Sequence, residues 1–163
     1  MRKRKSFFWQ MVGGAILLVA LAIFWPIKSD NTFNRLDISD KQLVANGKKI
    51  YVAHCASCHG AKLEGQANWK ERGADGLYPA PPQTDAGHSW RHTDQYLVDA
   101  VKNGLFENGK PTNMPAFGKT LTDTDMISVL TYIKSEWSVE KRAIQKRIQQ
   151  DSVPTTTVIY NAG

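Results

Sequence analysis

The chain has 163 residues, room for one modest domain with appendages, and carries 21 Lys and Arg against 15 Asp and Glu for a net charge of +6. Five of the 21 basic residues (Arg2, Lys3, Arg4, Lys5 and Lys28) precede position 29, where no acid occurs, so residues 29–163 hold 16 basic against 15 acidic side chains. The basicity is a terminal tag on a nearly neutral body, which argues against nucleic-acid binding.

From Ser6 to Ile27 runs a segment of 22 residues without a charge. As a helix it would span about 33 Å, enough for a hydrocarbon core of about 30 Å. The Arg2–Lys5 cluster predicts a cytoplasmic N-terminus. Phe7, Phe8 and Trp9 at one end, with Phe24 and Trp25 at the other, supply aromatics for both interfaces. A cleaved signal peptide is the competing reading, with Ala20-Leu21-Ala22 as its small-x-small site, yet Ile23-Phe24-Trp25 prolongs the apolar run past it. Residues 1–27 are therefore expected to form a basic tip and one N-terminal transmembrane helix. Either reading exports the remainder. Residues 28–38 are polar, lack periodicity and are expected to be a tether.

Ser39-Asp40-Lys41-Gln42 has the form of a capping box with Ser39 as N-cap, and a helix over about 41–52 follows. Leu43, Gly47, Ile50 and Tyr51 fall near one face of it. Gly47 is costly inside a helix. It predicts a close helix crossing, against the blander alternative of a glycine facing solvent without a role.

Cys55-Ala56-Ser57-Cys58-His59 then gives C-x-x-C-H, the attachment pattern of a c-type haem. Two thiols at this spacing at a helix end can each bond one vinyl group of the same porphyrin. The residue after the second thiol sits under the iron, where an imidazole can ligate it. Three other readings weigh less. A thioredoxin-like redox pair would sit near a βαβ pattern, which is missing here. Zinc needs four ligands, and with two cysteines it would have to recruit among His54, His59, His88 and His92. A disulfide between residues this close would constrain almost no chain.

Residues 60–84 are rich in Gly, Pro and charge, a long irregular stretch that would wrap a cofactor edge. Tyr78-Pro79-Ala80-Pro81-Pro82 suits neither helix nor central strand, which leaves its carbonyls free to accept bonds. One of them, Pro81 or Pro82, is the expected partner of the His59 Nδ1 proton. A plain rigid loop competes with this role. After Gly87-His88-Ser89-Trp90-Arg91-His92, Thr93 caps a helix to about Asn103, and Gly104 marks its end. Asn108-Gly109 reads as a turn. In the irregular Lys110–Gly118 segment, Met114 is the methionine best placed to be an iron ligand, since Met1 and Met11 lie in or beside the apolar run and Met126 sits in a helical pattern. Thr122 caps the last helix, whose apolar face runs Met126, Ile127, Leu130, Ile133, Trp137 and weakly on through Ile144 and Ile148. Continuous to about Gln150 it would be long for this domain, so a break or a projecting end is expected. The tail from Ser152 is expected to be disordered.

Gly47 with Tyr51, the Cys55–His59 motif, Met114-Pro115-Ala116-Phe117 and Tyr132 together resemble the class I monohaem c-type cytochromes over residues 39–137. The resemblance implies an all-α fold, a small cytochrome c-like helical domain around one covalently bound haem c, with the first and last helices crossing near Gly47. It implies thioethers at Cys55 and Cys58, His59 as proximal and Met114 as distal iron ligand. The apolar N-terminal run, residues 138–163 and the Gly87–His92 segment depart from the simplest members and look like a bacterial membrane-anchored subgroup. By that likeness Trp90 is expected to donate its indole N–H to a haem propionate, with core packing as the alternative.

A His/Met-held iron keeps no open position, which favours electron transfer over substrate chemistry. Ligation by His88 or His92 instead of Met114, or an open site, is the competing arrangement. The expected role is one-electron transfer between exported redox proteins, from a single-pass position in a bacterial inner membrane with the haem domain on the periplasmic or outer face. The alternatives are a haem subunit of a larger oxidoreductase complex and a haem-based redox or gas sensor. The pairs Lys141-Arg142 and Lys146-Arg147 suggest either a solvated helix face or a dock for an acidic partner.

Overall fold

The computed structural model describes residues 36–152. The apolar run at 6–27, most of the tether and the tail after Ser152 lie outside the described residues. Within them the order is α1 (Lys41–His54), α2 (Ala56–His59), a 3-10 turn (Ser89–Arg91), α3 (Asp94–Asn103), β1 (Phe106–Glu107), β2 (Lys110–Pro111), α4 (Asp123–Ser135) and α5 (Val139–Asp151). No helix among the described residues is long and apolar enough to cross a membrane.

The domain is mostly helical, with one departure from the all-α expectation. β1 and β2 pair antiparallel, Phe106 opposite Pro111 and Glu107 opposite Lys110. Asn108 and Gly109 join them with φ of 52° and 77°, the two left-handed positions of a tight hairpin turn whose twist matches its strands.

The pairing of α1 with α4 organises the core. Gly47 makes it possible: a Cβ built there would stand 1.9 Å from the Ser128 carbonyl oxygen. One turn on, Tyr51 is fully buried and its ring meets Tyr132 edge-on at 5.6 Å between centroids. Along α4, Met126 and every residue from Ser128 to Ile133 are buried. Two of these are hydroxyl residues, and both satisfy themselves one turn back: Ser128 Oγ donates to Thr124 O and Thr131 Oγ1 to Ile127 O, each at 2.8 Å.

Two expectations are corrected here. The N-cap of α1 is Asp40, whose carboxylate accepts from the Gln42 and Leu43 amides at 2.9 and 3.1 Å. Ser39 instead hydrogen-bonds Asp37. Asp40 stands one position nearer the helix, where its side chain meets the orphan amides of the first turn. Leu36, assigned to the tether, is a core residue at 5% exposure. The expected break in the C-terminal helical stretch falls at Glu136-Trp137-Ser138, and α5 beyond it packs against the 3-10 turn.

Candidate functional site

Cys55 ends α1 and begins α2, so both thiols and His59 are presented within one short helical segment. Both cysteines are free thiols, Cys58 exposed and Cys55 half-buried. Burial pushes the Cys55 thiol up to about 11, with the neighbouring Cys58 adding to the shift. The segment is pinned from the core: Tyr51 Oη donates to the Gly60 carbonyl at 2.8 Å, tying the residue after His59 to α1.

His59 Nδ1 stands 2.8 Å from the Pro81 carbonyl oxygen. Of the two prolines considered, this is the one. Pro82 is corrected: its carbonyl is directed at Gly87, where a Cβ would meet it at 1.9 Å. Gly87 thus admits the backbone fold that turns Pro81 inward and Pro82 away. Burial pushes the His59 pKa down while the Pro81 bond pulls it up, and the lowering prevails, which favours the neutral ring. With Nδ1 committed, Nε2 is the nitrogen left to ligate. Gln83, which the sequence did not single out, reaches the same Nδ1 with its side-chain amide at 3.1 Å.

Met114 is half-buried on a segment hung from the C-terminal end of α3. Its carbonyl accepts from Leu105 N at 3.3 Å and its amide donates to Thr112 Oγ1 at 3.2 Å. Downstream, the Phe117 and Gly118 amides donate to Val101 O and Lys102 O, both at 2.9 Å. The segment meets the motif where the Phe117 ring lies 6.3 Å from that of His54, the residue before Cys55.

Trp90 is corrected. It is buried, and its Nε1–H donates to Gly87 O at 3.1 Å and Asp85 O at 3.3 Å. The turn beneath it takes the proton that a propionate would need. The cations of Arg91 and Lys141 lie over its ring, at 4.7 and 3.9 Å from the centroid.

His88 and His92 belong to a row of rings. Trp69 stacks on His88, His88 meets His92 edge-on at 5.5 Å, and His92 stacks on Tyr96 at 4.3 Å. Burial lowers both histidine pKa values, helped by Arg91 at His88 and by His88 at His92. His88 Nδ1 is buried without a hydrogen-bond partner. Among the described residues, no three His, Cys, Asp or Glu side chains group to hold a metal ion, which removes support for the zinc reading.

Two free thiols at this spacing and an adjacent imidazole with one nitrogen fixed and the other free fit covalent haem attachment with a nitrogen ligand to iron. Comparison with known proteins points the same way. Residues 42–133, more than half of the chain, match the family model described as cytochrome c oxidase, cbb3-type, subunit III. A cbb3-type cytochrome c oxidase subunit CcoP from Azospirillum sp. (strain B510) is 34% identical over 95 residues, covering 58% of this chain and 29% of that protein. A cytochrome c6 from Diacronema lutheri is 28% identical over 97 residues, covering 57% of this chain and 95% of that protein. The chain thus spans under a third of the Azospirillum relative and nearly all of the Diacronema one. From the attachment motif, its proline-held histidine and these matches together, the chain belongs to the cytochrome c family of the cbb3-type oxidase subunit III model and is a c-type monohaem cytochrome with a covalently bound haem c.

Proposed function

We propose that this cytochrome is a membrane-anchored one-electron carrier whose iron is held by His59 and Met114. The observation that carries the ligand reading is His59 itself, with Nδ1 on the Pro81 carbonyl and its other nitrogen free beside two thiols. When bound, the haem supplies a one-electron ferric/ferrous couple. Cys55 and Cys58 would hold its edge covalently, which would keep it in place in either charge state. Met114 would offer the iron a soft thioether, a ligand that favours the ferrous state and raises the reduction potential above that of a bis-histidine site. No side chain is required to move a proton. The uncharged run from Ser6 to Ile27 and the basic cluster before it support an anchor with the haem domain on the outer face.

A second reading has its own support. The Azospirillum relative is named as an oxidase subunit, so this chain could deliver electrons within a larger membrane oxidoreductase. The partners in either case are other exported redox proteins.

Met114→Ala tests the ligand assignment. Loss of the ferric methionine–iron charge-transfer band, a fall in potential and new carbon monoxide binding are expected, and an unchanged spectrum would refute Met114. Detergent extraction of the full chain separates the two roles, as a free monomer for the carrier or a stable complex for the subunit.

A further inference from the structure

His59 Nδ1 has two polar neighbours, and together they fix more than either does alone. One is the Pro81 carbonyl oxygen at 2.8 Å. A carbonyl only accepts, so the ring nitrogen facing it at that distance carries the proton. A protonated ring nitrogen has no in-plane lone pair left to accept a second proton. The other neighbour is the side-chain amide of Gln83 at 3.1 Å. The structure places Nε2 toward the ring, an N–H against an N–H, and exchanging the two ends of the amide turns its oxygen to Nδ1 instead.

The other terminal atom of the amide lies 2.7 Å from Ser89 Oγ. A hydroxyl accepts as readily as it donates, so the Gln83 NH2 group donates to Ser89 in this orientation. The two ends of a glutamine amide are assigned from such networks. Ser89 is buried, which keeps the bond from competing with water. The Gln83 backbone is held at both ends as well. Its amide donates to Leu63 O at 2.9 Å, and its carbonyl accepts from Trp137 Nε1 at 2.9 Å. The side chain is thus presented to His59 by the loop on one side and by the break between α4 and α5 on the other.

We propose that Gln83, oriented by Ser89, is a second hydrogen-bond acceptor for the His59 Nδ1 proton and tunes the strength of this histidine as an iron ligand. The proposal rests on the reading that His59 Nε2 ligates iron. An added acceptor makes the imidazole a stronger donor, which favours ferric iron and lowers the reduction potential. Gln83 is a positioning residue here, acting through His59.

The experiment uses the full haem-loaded chain in detergent, with isotope-labelled histidine, as wild type, Gln83→Leu, Gln83→Glu and Ser89→Ala. Gln83→Leu is expected to raise the potential, so that the ferrous-to-ferric ratio at a fixed ambient potential rises several-fold. It should also move the His59 Nδ1–H resonance of the ferrous protein upfield. Greater local apolarity alone would raise the potential and leave that resonance in place. Gln83→Glu keeps an oxygen toward the ring, so the resonance should stay at or downfield of its wild-type position. Ser89→Ala should shift it upfield by less than the leucine variant does. A resonance unmoved in Gln83→Leu, or moved upfield in Gln83→Glu, overturns the proposal. The ring-current displacement of the His59 ring protons reports ligation separately. If the wild type lacks it, the ligand reading fails. If the displacement is present while the Nδ1–H resonance stays static in Gln83→Leu, only the role of Gln83 fails.

Discussion

At Gly47 a single missing Cβ decides how closely two helices approach. An alanine methyl there would lie 1.9 Å from the Ser128 carbonyl oxygen and 2.8 Å from Tyr132 Cβ. The obstacle is backbone of a buried helix, which cannot swing aside as a long side chain would. Gly47→Ala should therefore destabilise the haem-loaded domain by about 3 kcal/mol, at the upper end of overpacking costs and against the usual helix preference for Ala. Denaturant unfolding followed at the haem band checks this, and a change under about 0.5 kcal/mol would contradict the crossing. Gly47 was legible because a glycine inside an otherwise regular helix is an expense that calls for a reason. Cys55, Cys58 and His59 were legible because their spacing is fixed by one rigid porphyrin. Pro81 was only half legible. Which proline carbonyl turns inward depends on how the chain folds around Gly87, and adjacent prolines look alike in sequence. Trp90 was misjudged for a related reason: an indole N–H takes the nearest acceptor, here carbonyls three and five residues upstream.

Between elements, the segment carrying Met114 is tied to the loop that carries Pro81 by a pair of contacts far apart in sequence. Arg72 Nη1 and Nη2 bond Glu107 Oε2 and Oε1 at 2.9 and 2.6 Å. Asn113 Nδ2 reaches Asp75 Oδ2 at 3.5 Å. Arg72 also donates to Gly76 O at 2.7 Å and lies over the Tyr78 ring, which orients the guanidinium before the acid arrives. Both partners are exposed to water, so the clasp is salt-screened and modest. Its effect should appear in the mobility of the Met114 segment. Under the proposed Met114 ligation, Glu107→Gln is expected to let free imidazole displace Met114 from ferric iron at a few-fold lower concentration, read by loss of the charge-transfer band. The bond from Arg72 holds the Glu107 pKa below the usual glutamate range. A depressed pKa means that its contribution is present above the ordinary value and is lost as the pH falls through the folded one. Wild type and Glu107→Gln should thus differ near neutral pH and converge in acid. A difference independent of pH and salt would assign the effect to something other than this pair. The hairpin bearing Glu107 escaped the sequence because its strands have two residues each, too few to show alternation, although its Asn108-Gly109 turn was visible.

Across the whole molecule, α5 acts as part of the domain. The family match ends at residue 133, yet the next helix closes a buried polar cluster around the N-terminus of α3. The Asp94 side chain is 7% exposed and accepts from Lys134 Nζ at 3.0 Å and from Gln145 Nε2 at 2.8 Å. Its backbone amide donates to Gln149 Oε1 at 2.8 Å. Gln145, fully buried, also donates to His92 O at 3.1 Å. Lys141 covers Trp90, and the guanidinium of Arg142 donates to the Trp137 carbonyl. That leaves Lys146 and Arg147 as the exposed cations of the two basic pairs. The pattern could not be read in advance, because glutamines at 145 and 149 look like solvent-facing residues until the acid they meet is known. Lys134→Met isolates the central charge. It keeps the stem of the side chain and strands a buried carboxylate, a loss of about 3 kcal/mol when one partner of such a pair is removed. Lys134→Met combined with Asp94→Asn should recover much of it, since the neutral amide needs no counter-ion and can still accept from Gln145. Thermal unfolding of the two variants and the wild type decides the matter. Equal losses in the single and double variants would mean that Lys134 acts by packing. Deleting residues from Val139 onward should cost at least as much as Lys134→Met, because it withdraws Gln145 and Gln149 together and exposes Trp90. A truncated chain as stable as the full one would show the cluster to be dispensable.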